Sequence, residues 1–72
     1  MYLWWFDDRA KVATPNKIID AIAAYQERNG TAPNVVCVWL DADIGETIGG
    51  CQVRREAYIR PNNVWVGREV QP

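Results

Sequence analysis

The sequence is 72 residues long and carries eight basic and nine acidic side chains, four tryptophans and no histidine. A chain of this length forms one domain with a thin core, since it buries only about 60% of its unfolded surface. A net charge of −1 excludes the global positive field that draws in nucleic acid, and the lack of histidine excludes the usual general base.

The chain begins with a strand and a helix. Residues 2–6 (Tyr-Leu-Trp-Trp-Phe) are apolar throughout and have high β-propensity, which predicts the first strand. Thr14 then provides an N-cap side chain, and Asn29-Gly30 provides a stop signal that tolerates positive φ. Between them one apolar stripe recurs at helical spacing, which predicts an amphipathic helix: Ile18, Ile22 and Tyr25.

A second apolar run covers residues 35–40 and does not alternate between polar and apolar side chains. A strand that is apolar on both sides is typical of a central strand with both faces covered. Strand, helix and strand at this spacing predict a βαβ unit with a right-handed crossover. The two strands are then expected to be parallel, either adjacent or one apart.

The remainder of the chain predicts two more strands. Residues 41–50 hold three glycines and three acids, which indicates a loop with a short helical turn around Glu46. Residues 51–59 alternate weakly, residues 61–63 (Pro-Asn-Asn) form a turn, and residues 64–70 form the last strand, so we expect a hairpin. The predicted fold is a single α+β domain over residues 1–72, β-α-β-β-β, with a four-stranded mixed sheet and one helix packed on one face.

This fold leaves one face of the sheet uncovered, because a single helix covers one face only. A large exposed aromatic patch calls for a partner, and two-fold dimers are the commonest oligomers. We therefore expect a small homodimeric binding or interaction domain without catalysis or cofactor, acting on a second copy or another protein. The expected interface residues are the tryptophans: Trp4, Trp5, Trp39 and Trp65.

Acidic residues at the strand ends provide an alternative. Asp7 and Asp8 end the first strand, Asp41 ends the second, and Asp43 lies close behind. If these carboxylates meet at one rim of the sheet, they suit Mg²⁺ and a hydrolase or phosphotransfer site. The interpretation that we favour is that aspartate ends strands because its side chain hydrogen-bonds its own backbone.

A second alternative is nucleic-acid binding through the basic C-terminal segment, since residues 51–72 hold four arginines against two glutamates. Arg54, Tyr58 and Arg60 share a face of the predicted hairpin, and Arg68 lies on the paired strand. Arginine contacts phosphate and tyrosine stacks on unpaired bases. The overall charge of −1 argues against this alternative.

Two stretches resemble short uncharacterised bacterial proteins, some of them carried on mobile elements. Residues 25–30 (Tyr-Gln-Glu-Arg-Asn-Gly) and 33–36 (Pro-Asn-Val-Val) resemble their helix–strand junction, and residues 61–67 (Pro-Asn-Asn-Val-Trp-Val-Gly) resemble their last hairpin. This resemblance implies a structural likeness and assigns no functional residue.

The sequence also indicates where the protein resides. No apolar run is long enough to cross a membrane, and the first residues lack the basic region and cleavage site of a signal peptide. We therefore expect a cytoplasmic protein in which Cys37 and Cys51 are reduced thiols.

Overall fold

The computed structural model describes residues 2–70, which form one helix and a five-stranded mixed sheet. The α+β class is therefore as predicted. In chain order the elements are β1 (Tyr2–Phe6), α1 (Thr14–Asn29), β2 (Val35–Val38), β3 (Thr47–Ile48), β4 (Cys51–Arg55) and β5 (Asn63–Gly67).

The strand order is β1-β5-β2-β4-β3, and β2 occupies the centre of the sheet. β1 and β2 are each antiparallel to β5, so they are parallel to one another with β5 between them. This confirms the one-apart arrangement of the βαβ unit. All four residues of β2 are buried, which confirms the prediction of a central strand covered on both faces.

Two details of the predicted sheet are wrong. β4 and β5 do not form a hairpin, because each pairs with β2 from opposite sides. The fifth strand, β3, lies where the sequence predicted a loop with a helical turn, and it pairs antiparallel with β4. Its tight connection is Gly49-Gly50, where φ values of 54° and 80° favour glycine.

The helix begins and ends close to the predicted positions. Ala13 occupies the N-cap position without a side-chain hydrogen bond, so the predicted Thr14 cap is wrong and Thr14 is the first helical residue. Gly30 has φ 69° and donates its N–H to the Gln26 carbonyl at 2.9 Å, which ends the helix as predicted. The side of α1 that faces the sheet is buried through Ile18, Ala21, Ile22 and Tyr25.

The core has two parts, one on each face of the sheet. On the helix side, α1 packs on Val36, Val38, Val64 and Val66. On the other side, which we call the open face, Val35 and Cys37 pack against Ile59. Ile59 belongs to residues 56–62, the crossing segment that passes from β4 over β2 to β5. The crossing segment therefore covers the middle of the face that the helix cannot reach.

Candidate binding surface on the open face

The pairing register brings side chains from four strands into one row on the open face. Trp4 on β1 lies opposite Trp65 on β5, Trp65 lies opposite Cys37 on β2, and Cys37 lies opposite Arg54 on β4. Side chains alternate between the faces of a sheet, so Tyr2 and Phe6 share the face of Trp4. Two of the four predicted interface tryptophans are thus neighbours on this surface.

Large aromatic side chains remain exposed beside the crossing segment. The exposed fraction is 61% for Trp4, 54% for Phe6, 41% for Trp65 and 72% for Tyr58. We call these four residues the aromatic patch. The Trp4 indole donates its Nε1–H to the Asn63 Oδ1 at 2.7 Å, which ties the edge strand to β5 through a side-chain contact. Tyr58 belongs to the crossing segment itself, and neither α1 nor the rest of that segment covers the patch.

Two shallow pockets lie within this surface. The first has a volume of about 210 Å³ and is bounded by Trp4, Arg60 and Asn63. The second has a volume of about 270 Å³ and is bounded by Cys37, Glu56 and the pair of Arg54 and Glu69. Tyr58 and Trp65 line both pockets. The two pockets therefore adjoin at Tyr58 and Trp65, and together we call them the groove.

A self-contained ion pair closes one end of the groove. Arg54 Nη1 donates to Glu69 Oε2 at 2.7 Å, and its Nη2 makes a second short contact with Oε1. The Tyr2 hydroxyl donates to the same Oε2 at 2.5 Å. The carboxylate raises the pKa of Tyr2 to about 12, and the two donors lower the pKa of Glu69. The guanidinium of Arg54 is therefore already paired.

The backbone beneath this cluster fits the tyrosine ring closely. A Cβ added at Gly67 would lie 2.6 Å from Tyr2 Cδ2, so the ring lies directly on the glycine. The side-chain amide of Asn34 binds the backbone of Glu69. Its Nδ2–H donates to the Glu69 carbonyl at 2.7 Å, and its Oδ1 accepts from the Glu69 N–H at 2.8 Å. No local sequence pattern predicts this cluster, because its members are far apart in the chain.

The two pockets are lined by three of the four residues that were predicted to bind nucleic acid: Arg54, Tyr58 and Arg60. Tyr58 and Arg60 line the first pocket together with Trp65. Arg54 is held by Glu69, and Arg68 donates to the Ala32 carbonyl at 2.9 Å. The basic C-terminal segment therefore does not present all of its charge to a phosphate chain.

The acidic residues follow two strands, β1 and β2, that are not neighbours in the sheet. Asp7 is buried and pairs with Arg9, whose Nε donates to Asp7 Oδ1 at 2.9 Å, and this contact lowers the pKa of Asp7 to about 2. Asp8, Asp41 and Asp43 are exposed. Within residues 2–70, no group of three or more histidine, cysteine or acidic side chains is placed to hold a metal ion. Because β5 lies between β1 and β2, their ends are separated by roughly 10 Å.

The other two tryptophans are half-buried and line neither of the two pockets. Trp5 is half-buried against the helix-side core, and its Nε1 is buried without a hydrogen-bond partner among the described residues. Trp39 follows β2 and packs against both parts of the core. Both side chains are therefore partly covered by packing within the chain, and neither belongs to the aromatic patch.

Both cysteines are free and buried. Burial raises the pKa of the Cys37 thiol and also the pKa of the Cys51 thiol. Each is therefore held as a protonated thiol at neutral pH, which is the form with little nucleophilic reactivity. Cys37 contributes to the floor of the second pocket as a small apolar group.

Comparisons with family models, curated proteins and solved structures found no match. The resemblance to short bacterial proteins therefore stays a prediction. Within residues 2–70 the only helix is too short and too polar to cross a membrane.

Proposed function

We propose that this chain is a small binding domain that acts as a homodimer and performs no catalysis of its own. The aromatic patch on the open face forms part of the surface between the two copies. The observation that carries this proposal is the exposure of Trp4 and Phe6, both more than half accessible on a strand at the edge of the sheet.

The chemistry of the patch supports association with another protein surface. Aromatic side chains are enriched at protein interfaces, and they dominate the energetic hot spots there. The charged side chains of the groove balance in sign, Arg54 and Arg60 against Glu56 and Glu69. The groove beside Trp4 therefore adds no net charge that would repel a second copy.

The two alternatives have less support. Nucleic-acid binding would rely on Tyr58 and Arg60 alone, since Arg54 and Arg68 are engaged within the chain. A magnesium-dependent hydrolase would need the separated carboxylates of Asp7 and Asp41 to move together, and Asp7 is already paired with Arg9.

Sedimentation equilibrium over a wide range of protein concentration tests the proposal. We expect the wild-type chain to show the mass of a dimer that dissociates on dilution. Trp4→Glu places a charge in the patch and is expected to weaken the dimer by at least about 30-fold, as removal of a hot-spot residue does. A wild-type chain that stays monomeric at millimolar concentration contradicts the proposal.

A matched control is available on the opposite side of the molecule. Ile19 is a similarly exposed apolar residue on α1, and its Cδ1 lies near Gly49 beside β3, at the sheet edge away from β1. Ile19→Glu is expected to leave the dimer affinity unchanged. Equal loss of the dimer in both variants would show that the effect of Trp4→Glu is not specific to the patch.

A further inference from the structure

We infer that two copies join edge to edge, with β1 of one copy pairing antiparallel with β1 of the other about a two-fold axis at Trp4. This inference rests on the proposed homodimer and specifies how its two chains meet. It makes the partner a second copy of this chain and the contact a backbone ladder. The sheets of the two copies then form one continuous sheet.

Within residues 2–70, β1 is an unprotected edge of the sheet. It lies at the end of the strand order with β5 on one side only, and its five residues, Tyr-Leu-Trp-Trp-Phe, include no proline, glycine or charge. Native proteins normally shield an edge with proline or charged side chains, or by keeping the edge strand short. The opposite edge, β3, follows the second rule, because it has only two residues.

The free side of β1 presents the backbone of alternate residues. Asp7 donates its N–H to the Asn62 carbonyl at 3.0 Å, which sets the phase of the ladder between β1 and β5. Because bonded and non-bonded pairs alternate in an antiparallel ladder, Leu3 and Trp5 direct their N–H and C=O groups toward β5. The groups of Tyr2, Trp4 and Phe6 therefore point outward.

These outward groups are self-complementary under two-fold symmetry. With the axis at Trp4, Trp4 lies opposite its own counterpart, and Tyr2 lies opposite Phe6 of the second copy. Each opposing pair then exchanges both of its N–H···O bonds. If the axis moves from Trp4 to a neighbouring residue, at least one outward residue loses its opposing residue in β1 of the second copy. The register centred on Trp4 therefore pairs all the outward residues of the strand.

The side chains agree with this register on both faces. On the open face, every opposing pair is aromatic, and such cross-strand pairs stabilise a sheet. On the helix side, Leu3 lies opposite Trp5 of the second copy, so both members of that pair are apolar. No like charges meet along β1, since Asp7 is buried against Arg9. The two aromatic patches become neighbours while the groove around Tyr58 and Trp65 stays accessible.

Amide hydrogen exchange on the wild-type protein, followed residue by residue by NMR, tests the seam directly. At concentrations where sedimentation shows a dimer, we expect the Trp4 and Phe6 amides to exchange at least about tenfold more slowly than in dilute, dissociated samples. The Trp5 amide serves as the reference, because it is directed toward β5 in both states.

The outcomes separate this inference from the proposed dimer. A dimeric mass with fast exchange at Trp4 and Phe6 at every concentration overturns the edge-to-edge seam and leaves the dimer standing. A monomer at all concentrations overturns both.

Oxidative cross-linking provides an independent measurement of the register. Trp4→Cys is expected to form a disulfide-linked dimer, because opposing residues at the axis lie within disulfide reach. Phe6→Cys on the same strand is the control, since the two copies of residue 6 would be roughly 13 Å apart along the ladder. The native cysteines are buried and do not compete. Linking by Phe6→Cys but not by Trp4→Cys overturns the proposed register.

Discussion

The two faces of the sheet bury the same central strand by different means. On the helix side, α1 packs along the sheet, so that Ile18, Val36 and Val66 are fully buried. On the open face, the crossing segment contributes one apolar side chain, Ile59, which covers Val35 and Cys37. Around Ile59 the aromatic patch remains exposed, so the surface available for binding begins where neither α1 nor the crossing segment covers the sheet.

The largest effects on the free energy of unfolding are expected from substitutions of the isoleucines that cover β2 on its two faces. Ile18→Ala should lower the free energy of unfolding by about 4 kcal/mol, and Ile59→Ala by about 2 kcal/mol, because both remove methyl groups from closed packing. Urea unfolding at one fixed protein concentration measures both values, since dilution alone changes the stability of a dimer. A negligible cost at Ile59 would show that the crossing segment does not act as a second core.

Conservative variants keep the comparison measurable if the larger changes prevent folding. Ile18→Val and Ile59→Val each remove one methylene and should cost about 1 kcal/mol. A cost at residue 59 equal to that at residue 18 would mean that the two faces are equally well packed.

The features that were predicted correctly depend on local patterns. The periodicity of α1 and the stop at Gly30 are properties of neighbouring residues, and the apolar run of β2 by itself indicates a strand covered twice. The hairpin was wrong because the turn signal at residues 61–63 shows that the chain reverses but not which strand it then joins. β3 was missed because two residues carry too little pattern to detect.

In the candidate site, too, some residues could be predicted from local patterns and others could not. Trp4 and Trp65 could be predicted as exposed aromatics of an uncovered face, whereas their partners Tyr58 and Arg60 depend on the path of the crossing segment. The alternative of a metal site at the acidic strand ends depended on a non-local feature, because β5, the last strand in the chain, inserts between β1 and β2.

An intermediate effect is expected at the open face where the Tyr2 ring lies on Gly67. Gly67→Ala places a Cβ only 2.6 Å from Tyr2 Cδ2, so the ring must move, at a cost of about 1–2 kcal/mol. The same change in a Tyr2→Ala background should cost much less, because the clash is gone. Gly45→Ala is the matched control, since a Cβ there meets nothing within 4 Å. Equal costs in the two backgrounds would contradict the close contact of ring and glycine.

The smallest effect on stability concerns the ionisation of Tyr2. It is a pH dependence that comes from the polar end of the open face and that the apolar helix side does not share. The pKa of Tyr2 is raised from 10.0 to about 12, chiefly by its hydrogen bond to Glu69, so the native state retains the phenolic proton more strongly than the unfolded chain. This contribution to stability is fully present below pH 10 and is lost as the pH rises to about 12.

Tyr2→Phe should remove that part of the pH dependence, and Glu69→Gln should lower the pKa of the retained tyrosine. Urea unfolding between pH 8 and 12, with tyrosinate absorbance as the second readout, measures both effects. Identical alkaline profiles for the wild type and Tyr2→Phe would mean that the hydroxyl of Tyr2 does not donate to Glu69 in solution.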